Sequence, residues 1–477
     1  MNDIAVQPNL FDRTLDQVRR ALREIAVWRG VSSLDLRPDL PESDREILLS
    51  QMRDCLNARG GEVTARARAA NLGRAYMGLN QEGRRRFLAL LAQKFDTDIG
   101  EVNAAMAVVS SAEDRVARKA AEVKLRDALR PPYSRLLTQF NDLPEGVKFL
   151  VDLRAELITF AKDDPDLNDL QTDLRRLLAS WFDIGFLELR QITWNASAAL
   201  LEKLISYEAV HEIKSWDDLK NRLESDRRCY AFIHPRMPDE PLIFVEIALV
   251  NGIADNVQRL LDESQDRLTP ETADTAIFYS ISNAQRGLDG ISFGDFLIKR
   301  VVADLSDQFK NLKTFATLSP IPGFGRWFNK EVDDLGTAIL LADERKALEE
   351  LLGGEAAVAD LLKSLLADDA WAKEAELANA LKPVLSRLAA TFLYTVKRGI
   401  RAGDPVAHFH LSNGARLERL DWMADTSRRG MSQSAGMMVN YLYKLDEIDA
   451  NHEGYVGEGN IAVSTNVRNL SRKTVTG

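Results

Sequence analysis

Cysteine is almost missing from this 477-residue chain: Cys55 and Cys229 are the only two, and they stand far apart. Two thiols so placed exclude a disulfide framework and a cysteine-built zinc site, and they read as small core residues of a reducing compartment. Long apolar runs are missing too; none reaches the roughly 18 residues of a membrane span. Positive charge is outweighed, with 62 Lys and Arg against 72 Asp and Glu and a net charge of −10. That balance argues against non-specific binding to nucleic acid or to an anionic membrane, although it leaves room for a local basic pocket around a phosphorylated ligand. The opening MNDIAVQPNLFDRTLDQ lacks the basic-then-apolar order of a signal peptide and carries acidic residues that a mitochondrial presequence avoids. The closing SRKTVTG is no peroxisomal address, so a cytoplasmic protein is expected. There is no Gly-x-Ser-x-Gly elbow and no biotin or pyridoxal motif, which removes support for a serine hydrolase and for those cofactors.

What is present is a globular mixture, 45% apolar and 28% charged, long enough for two or three domains. Residues 1–181 read as an all-α bundle. Leu15, Val18, Leu22 and Ile25 recur at helical spacing before Gly30. Ser43 and Glu46 have capping-box spacing ahead of Leu48, Met52, Cys55 and Leu56. Pro144 suits a first helical turn, followed by Val147, Leu150, Val151 and Leu157. Asp163-Asp164-Pro165 breaks that run, and Leu167, Leu170, Leu174, Leu177 and Trp181 begin the next. Residues 182–477 read as mixed α and β. CYAFIHP and PLIFVEIALV form a hairpin around 236–240, and TAIFYSIS and KTFATLS are two more strands. A helix carrying Phe293, Leu297, Val301 and Leu305 lies between these two. Ile339 to about Leu393 is helical, interrupted at Gly353-Gly354. HFHLSNGARLERLDWMAD reads as strand around an Asn-Gly turn, and 437–443 as an aromatic-rich helix.

Four segments carry chemistry. Gln285 to Gly294 (QRGLDGISFG) places three glycines between a strand and a helix, where backbone N–H groups and the helix dipole suit phosphate; an ordinary turn explains them as well. Ser319-Pro320-Ile321-Pro322-Gly323 follows a strand, and the prolines hold Ser319 extended, as a catalytic serine or a plain Ser-Pro turn. His408-Phe409-His410 in a strand would aim both imidazoles one way and invites a zinc reading, but His452, the next histidine, is far off. Proton transfer by one histidine near neutral pH and a hydrogen-bonded structural histidine stand as the alternatives. The small residues of 424–436, before Asn440-Tyr441-Leu442-Tyr443, suit a close-packed wall around a ligand or ordinary packing.

These segments, in this order, resemble the malonyl-CoA decarboxylase family. The matching motifs are WFDIGFLELRQITWNAS (181–197), RRCYAFIHP (227–235), FYSISNAQRGLDGISFGDFLIKRVV (278–302), TFATLSPIPGF (314–324), and DPVAHFHLSNGA with DWMADTSRRG (404–430). The likeness covers most of 181–455; before that it is one of general character. It implies an α+β protein whose catalytic domain is similar to the GNAT-type acetyltransferases, with an N-terminal helical domain used for oligomer assembly, a homotetramer. It implies conversion of malonyl-CoA to acetyl-CoA and CO₂ without metal or other cofactor. Ser319 and His410, rather than His408, fall on the catalytic residues. Asp289, Gly290, Ile291, Ser292, Phe293, Gly294 and Asp295 fall on the malonyl-CoA-binding segment, and Tyr443 on its tyrosine. Animal members carry a glutamate at the position of Ser292. An acyl-CoA-dependent acyltransferase on the same fold and a non-catalytic malonyl-CoA-binding protein are the rival readings.

Overall fold

The structure, a computed structural model, describes residues 34–57, 62–141, 143, 145–291 and 297–472. The helix expected around Leu15–Ile25, and Pro144, lie outside them. Contacts divide the chain into two units. The first holds residues 1–188, 233–242 and 284–292; the second holds 189–232, 243–283 and 293–477.

The first unit is helical. Its helices run Glu42–Leu56, Glu62–Gly78, Gln81–Lys94, Ile99–Ser110, Arg115–Ala128, Pro132–Asn141, Gly146–Phe160 and Asn168–Trp181. Their apolar stripes meet in a core that includes Leu48, Met52, Leu88, Leu136, Leu150, Leu157 and Leu174, all without exposed surface. Burial of this kind is worth about 25 cal/mol per Å² of apolar surface. Local signals start these helices: Asn80 accepts from Gly83 N at 2.9 Å, and Asp98 and Asp114 each accept from two N–H groups of the following turn. Ser43 departs from its expected capping role. The helix starts at Glu42, with Pro41 at its N-cap and no side-chain cap, and Asp44 accepts from the backbone and guanidinium of Arg37 at 2.9 and 3.2 Å. Cys55 is buried, which pushes its thiol up to about 12 and removes its reactivity.

The second unit is built on a sheet. The strands of the sheet are β1 (Glu188–Ile192), β2 (Arg227–His234), β3 (Met237–Val250), β4 (Thr275–Asn283), β5 (Thr314–Thr317), β6 (Ser319–Pro320), β9 (Arg416–Asp421) and β10 (Met438–Leu442), in the order β1-β2-β3-β4-β5-β10-β6, with β9 paired to β10; residues 188, 233–234 and 237–242 of these strands count with the first unit. The short pair β7 (Lys397–Arg398) and β8 (Arg401–Ala402) stands apart from it. The β2–β3 hairpin turns more tightly than expected, since Met237 to Glu240 already belong to β3. β4 and β5 are parallel, joined by a crossover through the helix Leu297–Gln308. Cys229, on β2, is a buried free thiol whose pKa burial drives well above the usual value.

Two expectations are corrected here. Residues 405–412 form a helix, Pro405–Ser412, and not a strand. Asp404 decides this: its Oδ1 accepts from Val406 N and Ala407 N at 2.9 Å each, and Pro405 takes the first helical position, where a missing N–H costs nothing. Asn413-Gly414 therefore ends a helix, with Gly414 at φ 82°, before β9 begins. Residues 438–442 form the strand β10 in place of an aromatic-rich helix, because nearly all of its side chains are buried between neighbours on both sides.

Candidate active site

The parallel pairing of β4 and β5 covers Thr275–Phe278 against Thr314–Thr317 and then stops, its last backbone bond running from Leu318 N to Phe278 O at 3.1 Å. β4 continues to Asn283 against β3 alone. The other chain turns away at Pro320 and Pro322, which have no N–H to continue a ladder. Between the parted strands lies a cavity of about 220 Å³, lined by Phe278, Ser280, Ser319, Pro320, Phe409 and His410 among others.

Ser319 enters this cavity from the parting strand, and its neighbours are supplied by β10. That strand runs antiparallel to both pieces, pairing Leu442 with Ala316 and Val439 with Ser319. Tyr441 and Tyr443, two residues apart, share one face. The Tyr441 ring stacks on the His410 imidazole at 4.5 Å and 26°, and the Tyr443 hydroxyl lies 2.8 Å from His410 Nδ1. His410 Nε2 lies 3.0 Å from Ser319 Oγ, and Ser319 Oγ donates to Thr317 Oγ1 at 2.8 Å. Ser319, Thr317, His410 and Tyr443 are all buried.

Burial pulls His410 down from its ordinary value to about 3, which favours the neutral imidazole. His408, two residues earlier on the helix, points elsewhere and meets the Tyr455 hydroxyl at 2.9 Å. Neighbours at this spacing lie on different sides of a helix, so the paired-imidazole zinc arrangement does not form. Among the described residues no group of three or more His, Cys, Asp and Glu is arranged to hold a metal ion.

Asp404 was not singled out from the sequence, although Asp-Pro before an apolar run is a helix-start signal. Besides capping the His410 helix, its Oδ2 accepts from Gly323 N at 2.8 Å, tying the Ser319 segment to that helix. Alanine at Gly323 would bring Cβ to 2.9 Å from both Asp404 Oδ2 and Phe392 Cζ, which is why the motif ends in glycine. The Gly323→Ala protein should lose kcat while staying folded, checked by steady-state kinetics beside circular dichroism.

Asp289, Gly290 and Ile291 lie in the first unit, in a loop opened by the short turn Arg286–Leu288. A Cβ on Gly287 would come within 1.8 Å of Val151 O, so this glycine serves packing against the helix Gly146–Phe160 and not phosphate approach. Gly290 holds φ at 75°, a conformation that favours glycine. Arg154, nearly fully buried, donates to Gly287 O at 2.5 Å and Asp289 O at 2.8 Å, fixing the loop backbone. Burial raises the Asp289 carboxyl above the usual range against the opposing charges of Arg154 and Arg286. Ser292, Phe293, Gly294 and Asp295 lie outside the described residues.

The profile of the malonyl-CoA decarboxylase C-terminal domain matches residues 185–476, and that of the family's N-terminal domain matches 95–182. The chain belongs to the malonyl-CoA decarboxylase family. A mitochondrial malonyl-CoA decarboxylase of Anser anser anser is 37% identical over 470 residues, 94% of this chain and 93% of the relative. The mitochondrial enzyme of Rattus norvegicus is 39% identical over 435 residues, 88% of this chain and 85% of its own. The solved malonyl-CoA decarboxylase of Rhodopseudomonas palustris superposes with a TM-score of 0.80 at 40% identity, covering 89% of this chain and 99% of that one. That of Agrobacterium vitis gives the same score and identity over 90% and 100%. Malonyl-CoA decarboxylases are carboxy-lyases, and the α+β architecture, helical first and sheet-based after, is common to this chain and its solved relatives.

Proposed function

We propose that this member of the family decarboxylates malonyl-CoA to acetyl-CoA and CO₂ through the Ser319–His410 pair. One observation carries the reading: a buried hydrogen-bonded run of Thr317, Ser319, His410 and Tyr443 at the wall of a cavity between two parting parallel strands. The parted strands also support a GNAT-like catalytic fold, in which a thioester lies in the gap. Loss of CO₂ breaks the bond between Cα and the carboxylate and leaves the electron pair as an enolate on the thioester, which must be held and then protonated at carbon. Ser319 holds the His410 imidazole beside the malonyl group, and His410 delivers a proton to Cα and regains one from solvent. A carboxylate brought beside the imidazole counteracts the burial that keeps it neutral. Tyr443 orients the ring, and Asp289–Asp295 hold the acyl-CoA.

The reaction needs neither metal nor biotin on this reading, so exhaustive EDTA and avidin treatment should leave the rate unchanged; activity restored by a divalent ion would refute that. Incubation with malonyl-CoA, followed by mass spectrometry for acetyl-CoA and by CO₂ release, tests the activity itself. Transfer of the acyl group to an amine or alcohol acceptor without CO₂ would favour the acyltransferase. Binding without turnover would favour the sensor. A tetramer assembled through the helical unit, in the cytoplasm, completes the proposal. Light scattering on the full chain is its test, because Arg154 and Val151 contact residues 287–289, so a cut near residue 182 would strip that loop of its support.

A further inference from the structure

The Ser319 hydroxyl carries one proton, and it is spent on Thr317: Oγ donates to Thr317 Oγ1 at 2.8 Å. Towards His410 Nε2, 3.0 Å away, the same oxygen has only lone pairs to offer. The ring nitrogen facing it must therefore bear the hydrogen. A neutral imidazole has one N–H, so Nδ1 is bare and accepts the Tyr443 O–H at 2.8 Å. The run reads in one direction, Tyr443 to His410 to Ser319 to Thr317. Thr317 is fully buried on β5 and held at both ends: its Oγ1 also accepts from Tyr441 N at 3.1 Å, and its carbonyl accepts from Asn440 Nδ2 at 2.7 Å.

We infer that Thr317 is a positioning residue: by taking the Ser319 proton it obliges His410 to adopt the Nε2–H tautomer, with its proton on the cavity side. Thr317 lines no part of the cavity wall; it acts through Ser319, while its bond from Tyr441 N holds the strand whose ring stacks on His410. The consequence for the reaction rests on the Ser319–His410 reading above, since a proton on Nε2 is where protonation of the enolate requires it. Without the Thr317 acceptor, the Ser319 hydroxyl turns to donate to Nε2, the imidazole proton moves to Nδ1, and the Tyr443 oxygen becomes the acceptor. The pair would then resemble a base facing a serine, the wrong polarity for delivering a proton.

The test uses the full chain labelled with ¹⁵N-histidine, with the His410 signals identified by their loss in His410→Asn. Long-range ¹H–¹⁵N correlations near pH 7 should show His410 protonated at Nε2 in the unaltered protein. Thr317→Val, close in shape but without the acceptor, should move the proton to Nδ1 and lower kcat about tenfold with KM within twofold, the scale of one neutral hydrogen bond. Thr317→Ser should keep both the tautomer and the rate. An Nδ1–H tautomer in the unaltered protein overturns the inference whether or not the valine variant folds. So does a Thr317→Val protein whose tautomer and kcat are both unchanged. Turnover that survives His410→Asn sinks the catalytic reading itself, a result separable from either.

Discussion

His410→Asn should turn over malonyl-CoA roughly 10²–10⁴-fold more slowly than the unaltered protein, the usual worth of a positioned general acid, while still binding the substrate. Asparagine retains polar atoms near the places of the ring nitrogens but cannot pass a proton to carbon. Loss of packing against Tyr441 is local, since the stacked ring is held by β10 and not by His410. Ser319→Ala should also be slow. The double variant should be little worse than the slower single, because two groups that act together do not contribute additively. His408→Asn is the control. It carries the same chemical change on the same helix, but its partner is Tyr455, away from Ser319, and its kcat should stay within a few-fold. A dead His408→Asn beside an active His410→Asn would reverse the assignment.

The largest effect on stability is expected at Arg222, far in character from the reaction. Its guanidinium is 2% exposed and binds Asp218 Oδ1 at 2.8 Å and Glu246 Oε2 at 2.9 Å, with Glu246 only 1% exposed. The remaining N–H groups reach the carbonyls of His211 and Glu212 at 2.9 and 3.2 Å. Arg222→Ala leaves two carboxylates buried around a vacated cation, which should cost about 3–5 kcal/mol and pull the urea midpoint sharply down. Replacing Arg222 and Glu246 together by leucine should cost less, because only the Asp218 carboxylate, which still accepts from Lys214 N at 3.0 Å, is then left without its cation. If the double replacement proves as damaging as the single, packing rather than charge is what Arg222 supplies.

The legible parts of the sequence were those governed by near neighbours. The helices of the first unit repeat apolar residues every three or four positions, with Asp98, Asp114 and Asn80 at their starts. β4 and β5 carry β-branched and aromatic residues between turn signals, and Pro320 and Pro322 lie where the chain has left β4. The two misread stretches have a shared cause. His408-Phe409-His410 alternates like a strand, but one capping carboxylate, Asp404, outweighs an alternation only three residues long. Met438–Leu442 is a strand buried on both faces, so no period distinguishes it from a buried helix, and with that pattern went any sight of Tyr441 beside His410.

The sequence by itself determined the family, the serine held by prolines, and the α+β order of the chain. The tertiary structure alone decided that Ser319 meets a histidine 91 residues away and that this histidine meets a tyrosine 33 residues further on. It decided that Thr317 takes the serine proton. The reason lies in the range of the forces. Caps, turns and periodicity act over a few residues and leave marks in the sequence. Strand β10 lies along both β5 and β6 because long-range backbone pairing and burial favour it there, and only that pairing brings Tyr443 to His410 and holds Thr317 in reach of Ser319.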